Sequence, residues 1–157
     1  MANYSVNNLL AATPALQAVS STYKTEIEIL AQTSGLKRFK IYDILVGTAG
    51  TPADNYMEFD VARATATCTG TASTPVAIDP ADAACSAAAK INATAEGTVT
   101  ATSSVWYIAF NQRASFRWIA APGSELVAPA TNNNGFVLRA RSAAYTGNVG
   151  ATILFSE

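Results

Sequence analysis

At 157 residues the chain has the length of a single domain, and its ten basic and eleven acidic residues leave a net charge of −1. That balance argues against a nucleic-acid partner, which needs an excess of Lys and Arg on one face, and no apolar run approaches the roughly 18 residues of a membrane span. Only 13% of residues are charged, against roughly 25% in ordinary soluble domains, so the surface is weakly hydrated and suits lasting contact with other subunits.

Residues 1–22, "MANYSVNNLLAATPALQAVSST", do not alternate. They lack the basic start and continuous apolar stretch of a secretory signal, so synthesis in the cytoplasm is expected. Their apolar residues, among them Leu9, Leu10, Leu16 and Val19, are too many for a disordered tail and too few to fold alone. An arm laid on a neighbouring subunit would bury them, and so would docking on their own domain; the arm, followed by a domain over 23–157, is the expectation.

From Tyr23 onward the period is mostly two, the mark of half-buried strands. "TEIEIL" sets Glu26 and Glu28 against Ile27 and Ile29, which places both carboxylates on a solvent face. "RFKIYDI" and "NYMEFDVAR" follow, separated by the loop "GTAGTPADN". A long connection is expected from Thr67 to Gly97. Within it "IDPADAACSAAAK" offers a helix cap at Asp79, Pro80 at the first helical position and Asp82 near the positive end, so a short helix is expected there, with a surface loop as the alternative.

The alternation resumes in "SVWYIAF", "SFRWIA", "GFVLRARS" and "NVGATILF", punctuated by "NQR", "APG", "TNNNG" and "TGN". Trp118 reads as core, and Pro122-Gly123 as a turn into a strand around Leu126. The spacing of turn signals is that of an all-β antiparallel sandwich. "LKRFK" (36–40) and "RAR" (139–141) read as solvated strand faces.

The chain has no histidine. This removes Ser-His and Cys-His activation, most zinc sites and the usual proton shuttle. Ser115 and Ser124 therefore read as ordinary strand and turn serines. The carboxylate pairs Glu26/Glu28 and Glu58/Asp60 could serve glycosidase chemistry, but i, i+2 spacing is the ordinary arrangement on one strand face. "DPAD" lacks the spacing of a calcium loop, and there is no glycine-rich phosphate loop. Neither enzymatic activity nor a cofactor is expected. Cys68 and Cys85 have no CxxC spacing and read as free thiols, with a disulfide between them left open; Asn92-Ala93-Thr94 is then a chance glycosylation sequon. Arg113, Arg117, Glu125 and Arg139 fall on outward positions or strand ends, and arginines are favoured at interfaces. With Leu9, Leu10, Leu16 and Val19 they are the candidate contact residues.

"RFKIYDILVGTAGTPADNYMEFDVAR" (38–63), "AIDPADAA" (77–84) and "NQRASFRWIAAPGSELVAPATNNNGFVLRA" (111–140), in this order, resemble small virion proteins of tailed bacteriophages. Proteins of that kind decorate or cement the outside of the capsid. The resemblance implies a jelly-roll-like fold with an N-terminal arm, a homotrimer at threefold positions, the major capsid protein as partner, and the outer capsid surface as the place of residence. It implies no transferable site. A lectin-like or receptor-binding β-sandwich of a phage fibre is the alternative; it requires an exposed aromatic platform, for which Tyr42, Tyr56, Tyr107 and Tyr145 are candidates.

Overall fold

The alternating segments form the strands expected of them. The computed structural model describes residues 1–10, 17–143 and 147–157, with the side chains of Gln17 and Ala18 outside the description. In chain order the strands are β1 (Asn3–Asn7), β2 (Gln17–Ala18), β3 (Lys24–Leu30), β4 (Lys40–Ala49), β5 (Tyr56–Ala66), β6 (Thr69–Ser73), β7 (Val76–Ala77), β8 (Ala88–Ala95), β9 (Thr98–Asn111), β10 (Phe116–Ile119), β11 (Leu126–Val127), β12 (Gly135–Arg141) and β13 (Asn148–Ser156). A seven-stranded sheet has the order β10-β4-β13-β1-β7, with β11 also on β4 and β2 also on β13. A six-stranded sheet has the order β6-β8-β3-β12-β5-β9. Every pairing is antiparallel. The molecule is an all-β sandwich of these two sheets.

The core is the set of inward positions that alternation marks. Phe39, Ile41, Ile44, Phe59, Phe136, Leu138, Ile153 and Phe155 are fully buried. Phe39 meets Phe136 edge to face at 6.4 Å and Phe155 at 5.6 Å between ring centroids, tying the two sheets together. Such pairs contribute about 0.5–1.5 kcal/mol each beyond the area they bury. Trp106, Ile108, Phe116 and Trp118 pack against this core but are only partly buried. Trp118 is thus a rim residue rather than a core one, because β10 is an edge strand.

The N-terminal residues depart from the expected arm. β1 pairs with β13 from Asn3↔Ser156 to Asn7↔Thr152, Tyr4 and Val6 lie in the core at 2% exposure, and Val19 is buried there too. β2 rejoins the same strand at Gln17↔Val149. The side chain of Asn8 fills the ladder between the two. Its Oδ1 accepts from the Ala151 N–H at 2.9 Å and its Nδ2 donates to the Val149 carbonyl at 2.8 Å. Docking on the parent domain, the competing possibility, is what Asn3–Asn8 and Val19 adopt. Leu16 lies outside the described residues.

The expected helix is absent, and about half of the long connection is strand, in β6, β7 and β8. Asp79 does cap a turn, accepting from the Ala81 N–H, and the Asp82 N–H bonds the Asp79 carbonyl. Beyond that turn, distant groups take the backbone. Tyr4 donates its hydroxyl to the Ala83 carbonyl, and the buried Glu157 carboxylate accepts from the N–H groups of Ser86 and Ala87. β8 begins at Ala88.

Two glycines test this packing. A Cβ on Gly135 would stand 2.1 Å from the Ile29 carbonyl oxygen, whereas one on Gly150 would meet nothing within 4 Å. Gly135→Ala should lower stability by about 3 kcal/mol through forced separation of β12 and β3, and Gly150→Ala by no more than about 0.5 kcal/mol. Urea unfolding midpoints of the two variants check this.

Candidate docking surface

On the outer face of the seven-stranded sheet the register builds a saddle. Gly47 of β4 sits directly across from Gly150 of β13, so two adjacent strands lack side chains at the same level. The next row runs Arg117–Leu45–Thr152–Asn7 across β10, β4, β13 and β1. The result is an open depression of about 610 Å³, lined by Leu9, Leu45, Gly47, Ser115, Gly150 and Thr152 among others. Leu9 is 51% exposed on its rim, and Ile119 of β10 on the same sheet is 61% exposed. The lining mixes apolar Leu9 and Leu45 with polar Asn7, Ser115 and Thr152.

Arg117 borders this hollow. Its Nε donates to both oxygens of Asp43 at 3.1 Å and its Nη2 to Oδ2 at 2.5 Å. The Asp43 side chain is 3% exposed and that of Arg117 55%, so the guanidinium covers a buried carboxylate and shows its other edge to solvent. Arg113 pairs at 3.3 Å with Asp54, both exposed, a contact of small energetic value. Glu125 accepts from the Gly123 N–H in the Pro122-Gly123 turn, and bonds from its own backbone N–H and then from that of Gly123 hold its carboxyl below the usual range. The turn itself forms where expected, with Gly123 at φ +85. Arg113, Arg117 and Glu125 thus belong to the β10 side of the sandwich. Arg139 does not join them. Leu10 is partly buried against the core.

Arg139 lies on the outer face of the six-stranded sheet, in a lattice of charges. β12 and β5 pair Arg139 with Asp60 and Arg141 with Glu58. Arg139 donates to both Asp60 oxygens, at 2.9 and 2.5 Å, and Arg141 donates to Glu58. Both guanidinium carbons stand 4.8 Å from the Tyr23 ring centre. Tyr107 donates its hydroxyl to Glu58. The "RAR" segment is therefore ion-paired rather than solvated. Leu36–Phe39 of "LKRFK" precedes β4 rather than lying in a strand.

Of the carboxylates expected on solvent faces, Glu26, Glu28 and Asp60 are buried and Glu58 is partly buried. Glu28 is 1% exposed because the chain crosses over it between β5 and β6: its oxygens accept from the Thr67 hydroxyl at 2.7 Å and the Cys68 N–H at 2.8 Å. Asp60 is held as described. Glu26 is the extra residue of a bulge, since Leu138 pairs with Ile27 and Arg139 with Thr25. It is fully buried, accepts from Asn8 Nδ2 at 3.3 Å, and its Oε1 has no partner. Burial pushes its pKa well above the ordinary carboxyl value, against the opposing Asn8 hydrogen bond, and Glu96 raises it further. Glu26 and Glu28 thus have separate partners, as do Glu58 and Asp60.

Cys68 and Cys85 are free, their thiols pushed up to about 12 by burial and then by Glu28 and Glu157 respectively. Of the tyrosines, Tyr56 and Tyr107 are half-exposed, Tyr42 is partly buried, and Tyr145 lies outside the described residues. Among the described residues no group of His, Cys, Asp or Glu has the arrangement of a metal site, and no helix is long and apolar enough to cross a membrane. The Gly47–Gly150 saddle, Asn8 and the buried state of Glu26 carried no sequence signal, since each depends on strands brought together from far apart in the chain. Compared with known protein families, curated proteins and solved structures, the chain has no match in any of the three.

Two outcomes follow from this chemistry. Arg139→Ala leaves Asp60 buried without its partner and should cost about 3 kcal/mol in urea unfolding. Glu26 keeps its proton in the folded protein above the pH at which the unfolded chain releases it. Its contribution to stability is thus complete at low pH and is lost as pH rises through the raised value. Glu26→Gln should remove that part of the pH dependence, read from unfolding midpoints across the range above pH 4.

Proposed function

We propose that this protein is a structural component of a tailed-phage virion, a decoration protein that binds the major capsid protein on the outside of the capsid and strengthens the shell as a homotrimer. The observation that carries the reading is the saddle over Gly47 and Gly150, open to solvent, with Leu9 and Leu45 beside polar Asn7, Ser115 and Thr152 and with Arg117 at its border. It is a rigid hollow on a sheet, shaped to receive a protruding side chain or loop of another protein. The low charge of the chain supports lasting burial, and the resemblance of three segments to capsid-decorating proteins, many of them jelly-roll-like, supplies the partner.

In this reading attachment depends on shape and apolar contact with Arg117 at the rim, where the O-ring of an interface excludes water. A contact of standard size buries about 1,600 Å² in total, more than the saddle alone, so strands beside it take part.

Density for the protein on the outer shell of purified particles, seen by electron cryomicroscopy, is the expected outcome; its absence from the shell would sink the reading. Gly150→Arg fills the saddle without touching the core. It should leave the fold intact by circular dichroism and weaken binding to particles lacking the protein by roughly tenfold or more, as expected when a central contact is blocked.

A further inference from the structure

The charges of the six-stranded sheet are concentrated on its interior strands: β5 and β12 alone hold Glu58, Asp60, Arg63, Arg139 and Arg141. Its two edge strands carry none. No charged residue lies between Arg63 and Asp79, a stretch that includes β6 and β7, or between Glu96 and Arg113, a stretch that includes β9. Charge, a common guard of exposed edges because an unpaired edge is a template for another chain, is thus missing from both.

The β9 edge also exposes apolar side chains, and so does β7, the edge strand of the other sheet that follows β6. Tyr107 (56%) and Val105 stand out of β9, and behind them Trp106, Ile108 and Phe110 are only partly buried. On the opposite side of the sandwich, where β7 follows β6, Val76 is 66% exposed and Ile78 is exposed as well. The first half of β9 is irregular, with register shifts against β5 and Thr102 at φ 57. From Trp106 to Asn111 it is regular, which leaves one straight edge for pairing.

Strand direction supplies the geometry. Neighbours in the order β6-β8-β3-β12-β5-β9 are all antiparallel, so β6 and β9 run in opposite directions. A second copy placed with its β6 beside β9 therefore continues the antiparallel ladder. We infer that copies of this chain associate head to tail, the β9 edge of one against the β6–β7 edge of the next. A heterologous contact of this kind forms a ring when its rotation closes. A twofold β9–β9 contact would leave the β6 edge unpaired; the head-to-tail contact uses both uncharged edges of the sheet. The inference rests on the reading of the protein as a self-assembling decoration protein and adds which surfaces meet.

Thiol cross-linking of the full-length protein tests it. Val105, exposed at the register shift where the straight part of β9 begins, and Ala72, exposed on β6 opposite Lys90, are the two positions. The native thiols, raised to about 12, react slowly near neutral pH. With a bis-maleimide long enough to tolerate a slip of register, V105C mixed with A72C at micromolar concentration should give a cross-linked pair. The V105C/A72C double variant should give a ladder of closed oligomers. V105K, which puts a charge into the contact, should weaken association by roughly tenfold or more while leaving the circular dichroism unchanged. Cross-linking of V105C alone as strong as that of the mixture would assign the twofold contact and overturn the inference. So would a monomer in light scattering, or association unaffected by V105K. Particle binding is measured separately. Wild-type particle binding without head-to-tail association would overturn this inference alone; head-to-tail association without particle binding would overturn the decoration reading alone.

Discussion

The ion pair between Arg139 and Asp60 sets the conditions for the rest of the molecule. Asp60 is buried in an interior strand, and a carboxylate there must meet a cation inside the protein or cost several kcal/mol. The same demand recurs at Glu58 with Arg141 and at Asp43 with Arg117. Charge on a sandwich of this low content is thus consumed by internal pairing, with Tyr23 beneath two guanidinium groups. Among the surfaces left for outside contact are the two edges of the six-stranded sheet, which carry no charge of their own. The polarity of the surface follows from the electrostatics of the interior.

Much of the fold was legible because strands write their burial in a period of two, and Phe39, Ile41, Phe59 and Phe155 fall where that period puts them. The errors have one cause. Alternation says which residues share a face but not what covers that face. "TEIEIL" reads the same whether its polar side meets water or the crossing of Thr67 and Cys68, so Glu28 was assigned to solvent and is buried under that crossing. Asp79 signalled a helix start and does cap a turn, yet Tyr4 and Glu157, remote in sequence, hold the backbone that a helix would have needed. A local signal sets a beginning; distant partners decide the continuation.

The contact residues divide in the same way. Arg113 and Arg117 are exposed as alternation suggested, Leu9 is exposed on the subunit, Val19 is core and Arg139 is committed to Asp60. The glycines that shape the saddle were invisible, because nothing in the chain says that Gly47 and Gly150 become neighbours. Asn8 was equally silent. Its amide substitutes for a strand residue, donating and accepting where the ladder of β13 would otherwise lose both partners.

The docked N-terminus changes how attachment can work. For β1 to leave and lie over a neighbour, Tyr4 and Val6 would come out of the core, at a cost of about 1.5–3 kcal/mol each by area. The β13 ladder and the Asn8 bonds would be lost with them. An arm already ordered on its own domain has no such reason to move. The edges and the saddle are ordered in the isolated subunit, so binding through them avoids the entropy of fixing a free segment, which is on the order of 1–2 kcal/mol per residue. Pre-formed surfaces convert more of their buried area into affinity than segments that must order on binding. In the proposed role, attachment runs through the body of the sandwich, and the N-terminal strand serves to hold that body together.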